Sequence, residues 1–574
     1  MVASLLFIGA ATGQCGVVAD ITPGNAPNNN IGAIVAAFDE QLYFSYYSAV
    51  SGDELWRWDP TNGAQIVVDY APGTANHNPE VLTPCCTSAG PRLFYSGFEI
   101  GHGHELFITD GTAAGTHRVK EIVAGSGSSL PARMKAVGQR VFFAASDGTH
   151  GSELFVSDGT ASGTYMTLDI RPGNWGSNPD ELHALGDRVL FAADDGSSGK
   201  ELWISDGTAA GTHMVVEINP GSTGSDPVQF VSMGGLVYFV ATGPNFGREV
   251  WRTDGTAAGT APIGNFLGPN SFGPFELAAC GDRLYWREWQ TSGGGDVYVT
   301  DGTVAGTTNL GAYGARMTAA NGMVFFAGYD FSSGQELWVT DGTIAGTHMV
   351  ADIVPGGGGS SPSQLTPCGA GVCFTANISG HTEIWFSDGT AAGTTLVCDL
   401  DPGGSANPEY ITVCHGRVFM NATSAAYGRE LHAIDMPGGT VVPIGAGSLP
   451  DRPTLATVGC TAPVLGTTVT LQSNGPAGHA GVLLAGGGGL PTPVPTLPGL
   501  VDGATDYVGL QAGTAIAVAS SPTSMLSVPF ALPNIAAFEG VVFTFQSVWW
   551  SPTAQPALQT SNGLRLVLGT AAPH

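Results

Sequence analysis

Basic side chains are scarce in this sequence. Nineteen lysines and arginines stand against 47 acids, and lysine occurs only at Lys120, Lys135 and Lys200. A net charge of −28 repels a polyanion, so nucleic acid is excluded as a partner. Charge of either sign is thin, at 11% of residues against about 25% in an ordinary soluble protein. Hydrophobic residues, at 43%, still suffice for a buried core, which excludes disorder as the main state. No uninterrupted apolar run reaches the length of about 18 residues that a membrane span needs. There is no C-x-x-C pair, which excludes a zinc ribbon, and no H-E-x-x-H or G-x-S-x-G. GSSGK at Gly196 falls short of a phosphate-binding loop.

What is abundant is punctuation: 85 glycines and 37 prolines exclude a helical protein. The acidity is localised. Residues 461–574 carry only Asp502, Asp506, Glu539 and Arg565, a charge of −2, so −26 falls on the first 460 residues. The N-terminal MVASLLFIGAATGQC has a short apolar run and small residues and is expected to be the remnant of an export signal over 1–16. An ordinary first strand is the alternative. Nine cysteines (Cys15, Cys85, Cys86, Cys280, Cys368, Cys373, Cys398, Cys414, Cys460) fit export, since processing near Cys15 would leave eight. Cys368 and Cys373 flank a turn in PCGAGVC and are close enough to bridge locally.

One segment recurs with small changes: ELFITDGTAAGT from Glu105, ELFVSDGTASGT from Glu153, ELWISDGTAAGT from Glu201, EVWRTDGTAAGT from Glu249, DVYVTDGTVAGT from Asp296, ELWVTDGTIAGT from Glu336 and EIWFSDGTAAGT from Glu383. Worn copies at Glu54 and Glu430 flank them, giving nine units with a mean spacing of 47 residues. An aromatic β-run keeps step (RLFYSG, RVFFAA, RVLFAA, RLYWRE), as does a strand and turn of the type MTLDIRPG at Met166. The unit between Asp296 and Glu336 is shortest, at 40 residues, and its missing piece falls between Thr308 and Met317.

Each unit reads as four short strands: the DIxPG type, one ending near a glycine as in ELHALG, the aromatic run and the ELW run. Apolar residues stand side by side, as in Leu202–Trp203 and Phe142–Phe143, which implies sheets covered on both faces. Four strands per unit stacked on their neighbours predict an all-β chain with a β-propeller of about nine four-stranded blades over 17–455. A β-solenoid usually has shorter repeats. The DIxPG-type strand occurs both at Val17 and at Thr440, so one end of the region is expected to close the ring. Residues 460–574 lack the repeat and read as a small β-sandwich.

These segments resemble the ELWxxDGT repeat found in tandem in large exported bacterial proteins, over residues 17–448. The resemblance implies an extracellular or cell-surface propeller-like array and brings no activity or catalytic residue. TSNGLRLVLG near the C-terminus resembles the end of a β-module on such proteins.

Each recurring column has a structural and a chemical reading. The DGT acids Asp110, Asp158, Asp206, Asp254, Asp301, Asp341 and Asp388 can cap a hairpin turn, with Ca²⁺ binding as the alternative. One carboxylate per turn is few for calcium, so no cofactor is expected. The glutamate opening each ELW run can satisfy backbone donors or ring one mouth. His102 and His104 in GHGH, and His117, His213 and His348 after the turns, read as solvated surface rather than metal ligands. The deviant sixth unit carries Arg287, Glu288, Trp289 and Gln290 together, a set that suits a sugar. The uniformity of the other units favours a secreted or cell-surface binding or structural module with a protein or glycan ligand and no catalysis. The alternative is an extracellular carbohydrate-active enzyme with its site at the propeller mouth, around Arg287, Glu288 and Trp289.

Overall fold

The computed structural model describes residues 15–19, 31–36 and 41–435, apart from 61, 245–246, 265–272, 291–293, 415–416 and 425–427, together with backbone strands between 455 and 567. The described residues contain no helix long and apolar enough to cross a membrane. Two compact units divide after Pro437.

The first unit is a β-propeller of nine antiparallel blades. Each blade runs from an inner strand of the ELHALG type, through the aromatic and ELW strands, to a short outer strand. Blade 4 shows the pattern, with Asp180–Leu185, Arg188–Asp194, Lys200–Ser205 and His213–Val216 hydrogen-bonded in that order. Phe142 and Phe143 are both fully buried, as their adjacency requires when a sheet is covered on both faces. Phe142 packs with Leu154, Val189 and Phe191 toward blade 4, and Phe143 with Phe94 and Leu106 toward blade 2. Burying each such ring contributes about 1.5–3 kcal/mol.

Ring closure uses the N-terminal strand. Cys15–Ala19 pairs antiparallel with Gly428–Asp435 and becomes the outer strand of blade 9. Thr412 Oγ1 donates to the Ile34 carbonyl at 3.0 Å, and the Trp58 and Phe419 rings lie 4.7 Å apart across the seam between blades 9 and 1. Ile31, Phe44 and Trp58 share one buried cluster with Phe419, Leu431 and Ala433. The second candidate for closure, at Thr440, lies outside the described residues. The expected bridge between Cys368 and Cys373 is present.

Eight of the nine inner strands carry a bulge whose residue in the left-handed region is not glycine, among them Arg133, Glu181, Gln229, Glu276, Arg316 and Gln364. The bulge aims each side chain at the next blade. Glu181 Oε2 accepts from the Gln229 amide at 2.8 Å, Gln229 Oε1 from the Leu277 amide at 3.2 Å, and Gln364 Nε2 donates to the Pro408 carbonyl at 2.8 Å. Hydrogen bonds from the bulges thus tie each inner strand to the next from blade 3 to blade 9.

Blades 6 and 7 depart from the plan. They are joined in a single seven-stranded sheet by one 13-residue strand, Thr308–Ala320, whose first half is the outer strand of blade 6 and whose second half is the inner strand of blade 7. The shortened repeat has lost its linker, and a continuous strand crosses where the linker would run.

In the second unit, Thr468–Asn474 pairs with Leu455–Thr457 and Met525–Ala531. Ala480–Gly487 and Val542–Trp550 pair at the centre of a five-stranded antiparallel sheet.

Candidate active site

The repeated turn accounts for its own sequence. Asp206 Oδ1 accepts from the Thr208 amide at 2.8 Å and from Thr208 Oγ1 at 2.7 Å. Thr208 Oγ1 in turn accepts from the Gly211 amide, and Thr212 Oγ1 donates to the Thr208 carbonyl and meets Ser205 Oγ at 2.7 Å. Gly207 sits at φ +92°, and a Cβ on Gly211 would overlap the Asp206 carboxylate. The same Asp-to-Thr bonds recur at Asp110, Asp158, Asp254, Asp301, Asp341 and Asp388. These bonds hold several of the acids below the ordinary carboxylate range, Thr208 being the first cause at Asp206. Among the described residues no group of three or more His, Cys, Asp or Glu is placed to hold a metal ion.

The ELW glutamates are buried pins. Glu153 accepts from the Ser177 amide and hydroxyl and from the Ile170 and Arg171 amides, so one carboxylate gathers the whole linker to blade 4. Glu105, Glu201 and Glu336 repeat the arrangement with Ser129, Ser225 and Ser360. Burial pushes these carboxyls up, Glu54 to about 7.

Blade 6 rewrites this position. Asp296 replaces the glutamate, and across the ladder Glu288 stands where other blades have Ala145 or Ala193. The linker that other blades fold over this position is replaced by the continuous strand Thr308–Ala320. Glu288 is only 6% exposed. Asp296 Oδ2 accepts from Asn309 Nδ2 at 3.0 Å, and Tyr298 is hydrogen-bonded to both Glu288 and Asn309. Burial first, then the Glu288 charge, push the Tyr298 phenol up. Arg287 pairs with Glu276 at 3.1 Å and lies 5.7 Å above the Phe275 ring, while Glu276 also accepts from the Arg316 amide. Trp289 continues the Arg283–Gln290 strand, and its side chain lies outside the described residues. The sequence brings out Arg287 and Glu288. Asp296, Tyr298, Asn309 and Glu276 join them only through strand pairing, the signal being the exchange of Glu for Asp at one copy.

The histidines sit apart from this cluster. His102 Nδ1 meets Glu121 at 2.8 Å, His104 packs on Phe98, and His117, His213 and His348 are exposed. Sequence reading missed His77, which is buried among Tyr70, Tyr95 and Phe107.

No family model matches the chain, and no curated protein does. Solved structures do. A puromycin hydrolase is 12% identical over 64% of this chain and 61% of its own, with a TM-score of 0.33. A Mycobacterium tuberculosis puromycin-hydrolysing peptidase is 12% identical over 61% and 57%, at 0.34. The β-propeller domain of the Trilobed protease from Pyrococcus furiosus is 12% identical over 50% and 86%, at 0.30. The chain spans about three-fifths of the length of the first of these. The likeness is one of fold. Nothing beyond the fold is taken from these neighbours; the expectation of a binding or structural module without catalysis is corrected on the geometry of blade 6. Its deviations, which from sequence pass for erosion of a uniform repeat, bring two opposed carboxylates and a tyrosine to one face of the sheet, with Arg287 on the other.

Proposed function

We propose that the protein is an exported carbohydrate-active enzyme that hydrolyses glycosidic bonds at the propeller mouth of blade 6. The observation that supports this reading is the Glu288–Asp296 pair, directly opposed on neighbouring strands of the blade that runs into the next through the continuous strand Thr308–Ala320. Glycoside hydrolysis needs one carboxyl group to protonate the leaving oxygen and a second to attack the anomeric carbon or activate water. Opposed residues of an antiparallel ladder have their β-carbons about 5 Å apart, which brings both carboxyl groups to one bond.

Glu288, buried and hydrogen-bonded to Tyr298, is assigned the proton-donating role. Asp296, held by Asn309, is assigned the attacking role. Arg287, paired with Glu276, projects to the other face of the sheet and is assigned no role in the bond-breaking step. The reaction takes one water and yields a new reducing end.

The test is a reducing-end assay on the purified full chain with a polysaccharide panel, with proline-containing peptides run in parallel. Cleavage of a glycan, lowered at least a thousandfold in both Glu288→Gln and Asp296→Asn, is expected. Absence of glycan cleavage, or cleavage unaffected by both substitutions, overturns the proposal. Cleavage confined to peptides replaces the substrate class.

A further inference from the structure

The strand pairings of blades 6 and 7 place six residues in one row across the seven-stranded sheet: Pro274, Glu288, Asp296, Tyr313, Tyr329 and Gln335. Residues directly paired across a ladder project to the same side. The carboxylate pair is therefore followed, strand by strand, by two tyrosines.

Both are open to solvent, Tyr313 at 44% and Tyr329 at 45%, and Phe331, 87% exposed, lies 5.5 Å from Tyr329 edge to face. Exposed aromatic rings side by side are uncommon on a soluble surface and mark a contact site. Their backing is rigid. Next to each tyrosine stands a glycine on the opposite face, Gly314 against the Phe326 ring and Gly328 against the Trp338 ring, and neither has room for a Cβ. The tyrosines thus stand on a packed sheet.

We infer that Tyr313, Tyr329 and Phe331 form the substrate platform of this enzyme and that its occupant is an extended chain of β-linked hexose units. The inference rests on the hydrolase reading and names its substrate class. A β-linked hexose with equatorial hydroxyls presents a flat face of C–H groups, which stacks on an aromatic ring while its hydroxyls stay in water. Neighbouring strands are about 4.8 Å apart, a step comparable to one sugar residue of an extended β-1,4-linked chain. Successive sugars leaving the Glu288–Asp296 pair would meet Tyr313 and then Tyr329, with Phe331 beside Tyr329 at the end of the same strand. A curled α-linked chain does not keep that step.

The test measures calorimetric binding of cellohexaose and mannohexaose, with maltohexaose as the α-linked control, in the Glu288→Gln background. At least one β-linked probe is expected to bind, and Tyr313→Ala and Tyr329→Ala each to weaken it about tenfold, the scale of one aromatic contact. Tyr313→Phe and Tyr329→Phe should bind as the parent does, which separates lost stacking from a fold defect. Unchanged affinity in the alanine variants, equal binding of maltohexaose, or no β-linked probe bound overturns the inference. Glu288-dependent cleavage with aromatic-independent binding sinks the platform and leaves the hydrolase standing. Aromatic-dependent binding without cleavage in the wild type sinks the hydrolase and leaves the platform.

Discussion

His77 Nε2 lies 3.2 Å from the phenol oxygen of Tyr95, at a position that other blades fill with Ser129, Ser177 or Ser225. The exchange is coordinated. Tyr95 stands in the column of Phe143 and Phe191, and Gly97 replaces Ala145 because a Cβ there would collide with the imidazole. His77 Nδ1 faces the Phe98 carbonyl at 2.7 Å, which can only accept, so Nδ1 carries the proton and Nε2 accepts from Tyr95. The ring is 1% exposed.

A buried neutral histidine makes the fold acid-sensitive. Burial first, with a smaller opposing pull from the Phe98 carbonyl and a lowering push from His104, brings His77 down to about 4 from 6.5. Between those values the unfolded chain binds the proton and the native one does not, so stability falls as pH drops from about 6.5 to about 4. The full loss is about 3 kcal/mol. His77→Ser combined with Gly97→Ala restores the common blade. Chemical denaturation at pH 7 and pH 4 should show a smaller acid loss in the double variant than in the wild type. An equal loss in both rules out His77 as its source.

Asp206→Ala removes both bonds to Thr208 and is expected to cost about 1 kcal/mol. The cost should be identical with and without EDTA, and the wild-type melting temperature should not move in chelator. A wild-type drop reversed by Ca²⁺ and absent in the variant would assign these turns to metal. Gly211→Ala should be worse than Asp206→Ala, since its methyl group meets the carboxylate that the first variant deletes. Combining the two should therefore cost less than their sum.

Much of this architecture is local and so legible in the sequence. In (S/T)-D-G-T-x-x-G-T the acid, both threonines and both glycines act on one another within one turn, and the seven intact copies repeat the pattern. The strand at Val17 announces its partner by matching the outer strands of other blades. The glutamate column is readable as a column, but its partners lie 17 to 24 residues downstream in linkers of variable sequence. The row from Glu288 to Tyr329 is hidden for another reason. Bulges shift the register inside Pro274–Cys280 and Thr308–Ala320, so counting along the chain does not pair Asp296 with Tyr313. The lost linker is visible as missing residues, whereas the strand that replaces it is a product of tertiary pairing.

Glu54 gives the opposite pH response to His77. It is fully buried and accepts from the Tyr70 and Ala71 amides, yet burial still lifts it to about 7 from 4.5. Its native pKa is raised, so its contribution is fully present below about 4.5 and is lost as pH rises through about 7. Glu54→Gln cannot titrate. The stability difference between wild type and this variant should shift in favour of the wild type at pH 5 relative to pH 8, read from denaturant midpoints at constant slope. A difference that is flat across that range would show that Glu54 does not titrate there.

The N-terminal strand supplies the last test. Its register pairs Cys15 with Ile434, Gly16 with Ala433 and Val17 with His432, and it gives blade 9 its fourth strand. Without it, Gly428–Asp435 becomes a bare edge whose amides and carbonyls face solvent or another chain. Deleting residues 1–19 should lower the melting temperature by several degrees, since a few ladder hydrogen bonds at about 1 kcal/mol each are lost. It should also increase self-association through the new edge. Val17→Pro removes one ladder donor and should reproduce part of the loss, while Val17→Ala, which keeps the backbone amide, should not. Equal melting temperatures for the full chain, the deletion and Val17→Pro would mean that blade 9 is closed by something other than this strand. A deleted protein that stays monomeric but melts earlier would support the pairing while removing the edge-association step from the account.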